Sequence, residues 1–272
     1  MAKHPFKKKI HLFISDRRSS PLFRWLFTLA KKYIKIYENR NNDHLTNGEL
    51  RVITILSKHN PKLVFDVGAN VGDWSVLAEN SFPNASIHSF EPMPAIFEKL
   101  SKNMATHQRV NINNFGLAEK LQKVEFNFFP DRTIFTSMYD IELKNTKVQK
   151  VMCELRHGGH YCQEANIEEI DFLKIDTEGG EPMVLAGFTE MLEAKKIKVI
   201  QFEYSTINIT TKYLLKDFYS FFAQYGYIVG KIYSKTVEFK PYAIDMEDFI
   251  GLNYIAIPKE AVELKRQLVF GE

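Results

Sequence analysis

The residues LVFDVGANVGDW at 63–74 restrict the fold more than any other part of this chain. An apolar strand runs into a turn with glycines at 68 and 72, and a helix-like segment opens straight out of that turn. A strand that turns this tightly into a helix begins a βα unit, and such units build a parallel sheet through right-handed crossovers. The first helix is expected over 72–80. A second strand at 85–90 ends at Glu91 and precedes a helix over 94–105, and 110–115 reads as a third strand. IDFLKI (170–175) and IKVIQFE (197–203) read as the fourth and fifth, with a short helix at 182–187 between them. KVEFNFF (123–129) alternates cleanly and predicts a local strand, whereas 131–169 is polar and carries no period.

A helix over 212–225 with a Phe/Tyr/Leu face precedes two last strands, 227–233 and 252–257. No helix separates those two, so an antiparallel hairpin is expected. The sum is an α/β fold with a mostly parallel sheet and helices on both faces. Ligands of such sheets sit beyond the carboxyl ends of the strands. Asp66, Glu91, Phe115, Asp176 and Glu203 all stand at those ends.

The glycine turn does not suit a dinucleotide. The fingerprint G-x-G-x-x-G needs a glycine two residues after the first, and here that place holds Asn70. Asp66, just before the turn, would repel a pyrophosphate. A cationic nucleoside reverses the argument. S-adenosylmethionine carries an ammonium and a sulfonium and no phosphate, so Asp66 would meet its amino-acid end, directly or through water, while Gly68 and Gly72 let the backbone pass close. Glu91 would accept hydrogen bonds from the ribose hydroxyls, a role an acid at this strand end also plays in dinucleotide folds. Phe115 and Gly116 would border the adenine.

FDVGANVG, FEPMPAIFEKL, NFGLAEK, IDFLKIDTEGGEPMVLAGF and IQFEY, in that order and spacing, resemble the FkbM-type methyltransferases over about residues 47–257. The resemblance implies a class I, Rossmann-like fold with seven strands and the terminal hairpin. It also implies S-adenosylmethionine as cofactor and O-methylation, commonly of sugar hydroxyls or polyketide-type products. The expected cofactor contacts are then Asp66, Gly68, Ala69, Asn70, Gly72, Glu91, Pro92, Phe115 and Gly116. One block departs from the family: RHGGHYCQEANI (156–167) places Gly159 and His160 where relatives have an acidic pair before Tyr-Cys.

Methyl transfer to a hydroxyl needs the acceptor oxygen aligned with the methyl carbon and a group to take the acceptor's proton. The candidates are Asp176, Glu203, His157 and His160, with the histidines favoured as bases by their near-neutral pKa. Glu178, Tyr161 and Tyr204 are candidates for acceptor contact, with Tyr139 and the loop before residue 159 as further walls. Asp176, Glu178, Glu203 and a histidine would also hold a divalent cation, although no spacing demands one. Two other readings stand beside this one: a Rossmann-type NAD(P)-dependent oxidoreductase, and a non-catalytic membrane-associated binding module.

Charge divides the chain. Residues 1–40 hold eleven Lys and Arg against Asp16 and Glu38, while the whole 272-residue chain is only +3, so the rest is net acidic. The expected domains are a basic amphipathic arm (1–46) and a methyltransferase domain (47–272). NNDHLTN (41–47) reads as a polar break, with Thr46 or Asn47 capping a helix over 48–59. The uncharged run 25–30 is too short to cross a bilayer. Amphipathic helices usually face a core, which favours packing of the arm on the body; the alternative is peripheral contact with a membrane through residues 1–40. Cys153 and Cys162 form neither a disulfide framework nor a zinc set, so a cytoplasmic location is expected, peripheral to the inner face of a membrane if the arm binds lipid. The expected partners are a small-molecule or glycan acceptor and no nucleic acid.

Overall fold

Apolar residues alternate about the strands so that both faces of the sheet are buried. The computed structural model describes residues 5–140 and 146–271. Residues 1–4 of the expected arm, 141–145 of the expected irregular segment and residue 272 lie outside these. In chain order the helices α1 (Pro5–Ser15), α2 (Pro21–Tyr37) and α3 (Glu49–Ser57) precede β1 (Leu63–Val67). Then follow α4 (Asp73–Ser81), β2 (Ser86–Phe90), α5 (Pro94–Asn103), β3 (Val110–Asn113), β4 (Gly116–Ala118) and β5 (Gln122–Phe128). After a short 3-10 turn at Thr133–Phe135 come β6 (Gln149–His157), α6 (Gly158–Glu164), β7 (Phe172–Ile175), α7 (Glu181–Ala186), α8 (Thr189–Glu193) and β8 (Ile200–Glu203). The chain closes with α9 (Ile207–Thr211), α10 (Leu215–Gln224), β9 (Tyr227–Ile232), β10 (Val237–Phe239), β11 (Asn253–Pro258) and α11 (Val262–Phe270).

The main sheet has the order β10-β9-β11-β8-β7-β1-β2-β3, and β4-β6-β5 form a second sheet. β3, β2, β1, β7 and β8 run parallel, and β11 enters antiparallel between β8 and β9. The terminal hairpin is therefore as expected, but the main sheet has eight strands rather than seven, because β10 adds to the edge of β9. The segment expected to be irregular contains β6 and α6. The third strand stops at Asn113, so Phe115 and Gly116 lead into the second sheet instead of ending the first. The helix expected over 212–225 starts later, as α10 at Leu215, because Lys212, which closes the preceding α9, has a left-handed φ of 58°. The cap of α3 is Gly48, with Asn47 Oδ1 accepting the Glu49 N–H beside it.

Phe65, Val67, Leu173 and Ile175 face one core with Phe188, Phe202 and Phe218. Val64 and Phe172 face the other, with Ile53, Trp74 and Phe82 from α3, α4 and the residue after α4. The alternation leaves Asp66 and Lys174, paired in register between β1 and β7, on this second side. Cys153 and Cys162 are buried free thiols.

The expected packing of the arm's apolar helix face on the body does not occur: α2 has no buried residue, and Trp25, Phe27 and Ile36 are 59%, 61% and 69% exposed. No described helix is long and apolar enough to cross a membrane.

Candidate active site

The carboxyl ends of β1, β2, β7 and β8 border one cavity of about 870 Å³, a volume suited to a nucleoside-sized ligand. At the end of β1, Gly68 has φ 88°. A Cβ there would lie 1.8 Å from the Asp176 carbonyl oxygen, so only glycine lets the two strand ends meet this closely. Ala69 and Asn70 continue along the cavity wall. Asn70 donates its N–H to Glu91 Oε2 at 3.1 Å, and the Met93 N–H donates to Oε1 at 2.8 Å. Each oxygen keeps unused lone-pair capacity, and Glu91 lines the cavity with Pro92 and Gly116. Burial pushes the Glu91 carboxyl up to about 7, against these two donors.

Asp66 is not in the wall. It is fully buried, accepts from Ser75 Oγ at 2.6 Å and lies 3.3 Å from Lys174 Nζ. Of the direct or water-mediated contact with a methionine end expected for Asp66, the direct form is corrected: the side chain is in a buried ion pair beneath the turn. Gly72 is also behind the wall, where a Cβ would strike Met104 and Leu100 at 2.7 and 2.8 Å; its φ of 96° begins α4 and lets α5 pack closely.

Lys174 Nζ reaches Asp176 Oδ2 at 3.1 Å as well. Burial disfavours its ammonium, but Asp176, Asp66 and Glu49 outweigh that and raise its pKa. Asp176, Glu178 and Glu203 line the cavity and bring one carboxylate oxygen each to within 4.8 Å of the others. Burial first, then Asp176 and Glu181, pushes Glu178 up to about 8. Glu203 is raised by its burial and then by Glu178 and Asp176. Glu178 and Glu203 thus hold their protons more tightly beside Asp176, and the three acids together favour a cation.

The cavity also contains a histidine that the sequence reading passed over. Between α2 and α3, Asp43 accepts from the Leu45 N–H at 3.0 Å and from Thr46 Oγ1 at 2.7 Å, and Asn41 Oδ1 accepts from the Asp43 N–H at 3.0 Å. This Asx-type turn presents His44 to the cavity. Its Nδ1 lies 2.9 Å from Glu49 Oε1. Glu49 is 2% exposed and also accepts from Asn47 at 2.6 Å, Gln201 at 2.8 Å and Asn253 at 3.0 Å. Burial opposes the Glu49 charge, but His44, Lys174 and Asn47 hold its carboxyl down at about 2. The same hydrogen bond raises the pKa of His44. An ionised carboxylate only accepts, so Nδ1 carries the proton and Nε2 of the neutral ring is left with a free lone pair.

The histidines expected to act do not reach this cavity. His157 and His160 stack at 4.2 Å at the start of α6, where His157 Nδ1 accepts the His160 N–H; burial lowers the pKa of His157. Tyr204 is fully buried and donates to Glu247. The Tyr161 hydroxyl lies 2.7 Å from His88 Nδ1, and its ring packs on Phe65, Phe90 and Phe115. Phe115 is itself core, with the Arg156 guanidinium 4.0 Å from its ring centre. None of these five side chains lines the cavity, because strand and loop packing turns them away from it. The loop before residue 159 does contribute, through Thr133, Phe135, Thr136 and Met138.

A parallel sheet with an antiparallel strand inserted next to its last parallel one, and a nucleoside-sized cavity at its carboxyl ends, defines a class I methyltransferase fold. The chain belongs to the FkbM methyltransferase family: the family model described as Methyltransferase FkbM domain matches residues 66–229, more than half of the chain. That membership decides the question raised by the glycine turn against a dinucleotide oxidoreductase. The chain is similar to 31-O-demethyl-FK506 methyltransferase FkbM of Streptomyces tacrolimicus, 28% identical over 152 residues covering 46% of this chain and 58% of that one. It is also similar to hexuronic acid methyltransferase AglP of Haloferax volcanii, 22% identical over 57% of this chain and 62% of that one. The match thus spans less than two thirds of either relative. Among solved structures, methyltransferase FkbM from Methylobacillus flagellatus KT aligns with a TM-score of 0.47 at 15% identity, over 72% of this chain and 43% of that one.

Proposed function

We propose that the protein transfers a methyl group from S-adenosylmethionine to a hydroxyl of a sugar, glycan or related natural product, with His44 taking the proton. The observation that carries this reading is the Glu91 carboxylate, clasped by two backbone N–H groups at the β2 end and open to the cavity that His44 also lines. Its free lone pairs suit a ribose diol, and the uncharged backbone around Gly68 and Gly116 suits an adenosine. The Asp176, Glu178 and Glu203 cluster suits the cationic end of the donor.

The bound donor supplies a methyl carbon already activated by its sulfonium. The acceptor hydroxyl would take that methyl group and give up its proton to His44 Nε2. Glu49 holds the imidazole in the tautomer that can accept it and stabilises the imidazolium formed. A divalent cation on Asp176, Glu178 and Glu203, in place of the cationic end of the donor, would acidify the hydroxyl instead. The glycan class draws support from the name of the hexuronic acid relative and from Thr133, Thr136, Thr206 and Asn253 in the cavity wall.

Calorimetry with S-adenosylmethionine, S-adenosylhomocysteine and NAD tests the donor: binding of NAD alone would overturn the proposal. A panel of saccharide and polyketide-type hydroxyls with labelled methyl donor then tests the acceptor. On the best acceptor of that panel, His44→Ala is expected to lower kcat by about a hundredfold or more, to leave donor affinity within a few fold, and to remove the rise of rate with pH through the His44 pKa. A full-rate His44→Ala enzyme would dismiss the histidine as base.

A further inference from the structure

Helices α1 and α2 carry a surface that methyl transfer does not use. At about 100° per residue, Leu22, Trp25, Leu26, Leu29, Tyr33 and Ile36 fall on one arc of α2, whereas Arg24, Lys31, Lys32 and Lys35 share the other. Every one of the six apolar side chains is at least 42% exposed. Phe6, Ile10 and Phe13 of α1 are exposed as well, and Phe13 meets Phe23 of α2 edge to face at 5.8 Å, joining the two helices. Lys7, Lys8, Lys9, Arg17 and Arg18 add positive charge, and Asp16 is the sole acid from residue 5 to residue 37.

A wide aromatic arc beside an almost uncompensated cationic one is the chemistry of a helix lying in a bilayer interface. There the rings enter the acyl boundary and the lysines meet anionic headgroups. A protein partner would have to cover the apolar arc and also supply the negative charge. The helices are not loosely tethered. Glu38, next after α2, pairs with the buried Lys231 at 2.6 Å, and Asn39 Nδ2 donates to the carbonyls of Asn47 and Ile232 at 2.7 and 3.1 Å. Arg40 and Asn42, a few residues further on, line the active-site cavity. Three residues of extended chain span about 10 Å, so a surface that holds α2 also holds the cavity rim.

We propose that α1 and α2 dock the enzyme on an anionic membrane surface, with the apolar arc inserted and the cavity rim held beside the lipid. Docking itself rests on the helices alone; the placement of the rim rests on the active-site reading.

Full-length protein is sedimented with phosphatidylcholine–phosphatidylglycerol vesicles and with phosphatidylcholine vesicles, and tryptophan emission is read in the same samples. The expected result is salt-sensitive binding to the anionic vesicles only, with a blue shift that Trp25→Phe removes, because the other tryptophan, Trp74, is already buried at 3% exposure. Trp25→Asp with Leu29→Asp, and separately Lys31→Glu with Lys32→Glu and Lys35→Glu, are each expected to weaken binding at least tenfold. These side chains are exposed, so circular dichroism and donor binding by calorimetry should be unchanged, which separates a failure of docking from a failure of the methyltransferase reading. Absence of vesicle binding, binding indifferent to both variants, or concentration-dependent self-association without vesicle binding would each overturn the proposal.

Discussion

Glu91 makes donor affinity depend on pH in a way that can be calculated. Its carboxyl stands at about 7 in the free enzyme because burial outweighs the Asn70 and Met93 N–H donors. A ribose diol donates hydrogen bonds, so it binds the carboxylate better than the protonated acid. At pH 6 about one tenth of Glu91 is ionised, and at pH 8 about nine tenths. Affinity for S-adenosylhomocysteine should therefore rise about tenfold from pH 6 to pH 8, or about 1.4 kcal/mol. The sign follows from the raised pKa: binding strengthens as pH climbs through it, whereas a carboxyl with an ordinary pKa would titrate below this window. Glu91→Gln loses charge-assisted hydrogen bonds worth about 1.5–3 kcal/mol, so at pH 8 it should bind roughly ten- to a hundredfold more weakly. Calorimetry of both proteins at the two pH values is the assay, and the difference between their slopes cancels the titration of the ligand itself. A flat wild-type profile, or an equal slope in Glu91→Gln, would refute the argument that Glu91 meets the ribose as a carboxylate.

Gly68→Ala sets a methyl group 1.8 Å from the Asp176 carbonyl at a φ of 88° and should cost roughly 2–5 kcal/mol; an unchanged urea midpoint would contradict that. Lys174→Met strands Asp66 in the interior and should cost about 3–5 kcal/mol, with Asp66→Asn in the same chain restoring part of it in denaturant titration. His157→Ala and His160→Ala should leave both donor affinity and turnover of the best acceptor within about twofold, since neither side chain lines the cavity; a large loss in kcat would return them to the mechanism.

The legible parts were those written in local pattern. An apolar strand entering a glycine turn marks β1 and its helix wherever the rest of the chain goes, because backbone conformation at Gly68 and the period of the strand are set within a few residues. Glu91, Asp176 and Glu203 could be placed beside one another because parallel strands must present their carboxyl ends on the same edge. The second sheet was legible only in β5. Its partner β6 lies in a polar stretch whose order comes from pairing with β5, not from a period of its own. His44 carried little signal: an Asx-type turn of polar residues reads as a linker until α3 and the strand ends close around it.

By itself, then, the sequence determined the alternating fold, the bend at Gly68 and the row of acids at the strand ends, through local backbone preference and hydrophobic period. Only the tertiary structure decided which polar groups meet. Asp66 finds Lys174 across 108 positions, and Glu49 finds Gln201 across 152, because the β1–β7 and β7–β8 register and the seating of α3 bring them together. The same packing buries Tyr204, half-buries Tyr161 and turns His157 and His160 away from the cavity. A side chain's residue type limits the chemistry it can do, but its pKa and its partner are set by neighbours remote in sequence. That is why the acids could be placed from their positions, whereas the His44–Glu49 pair emerged only when the chain was folded.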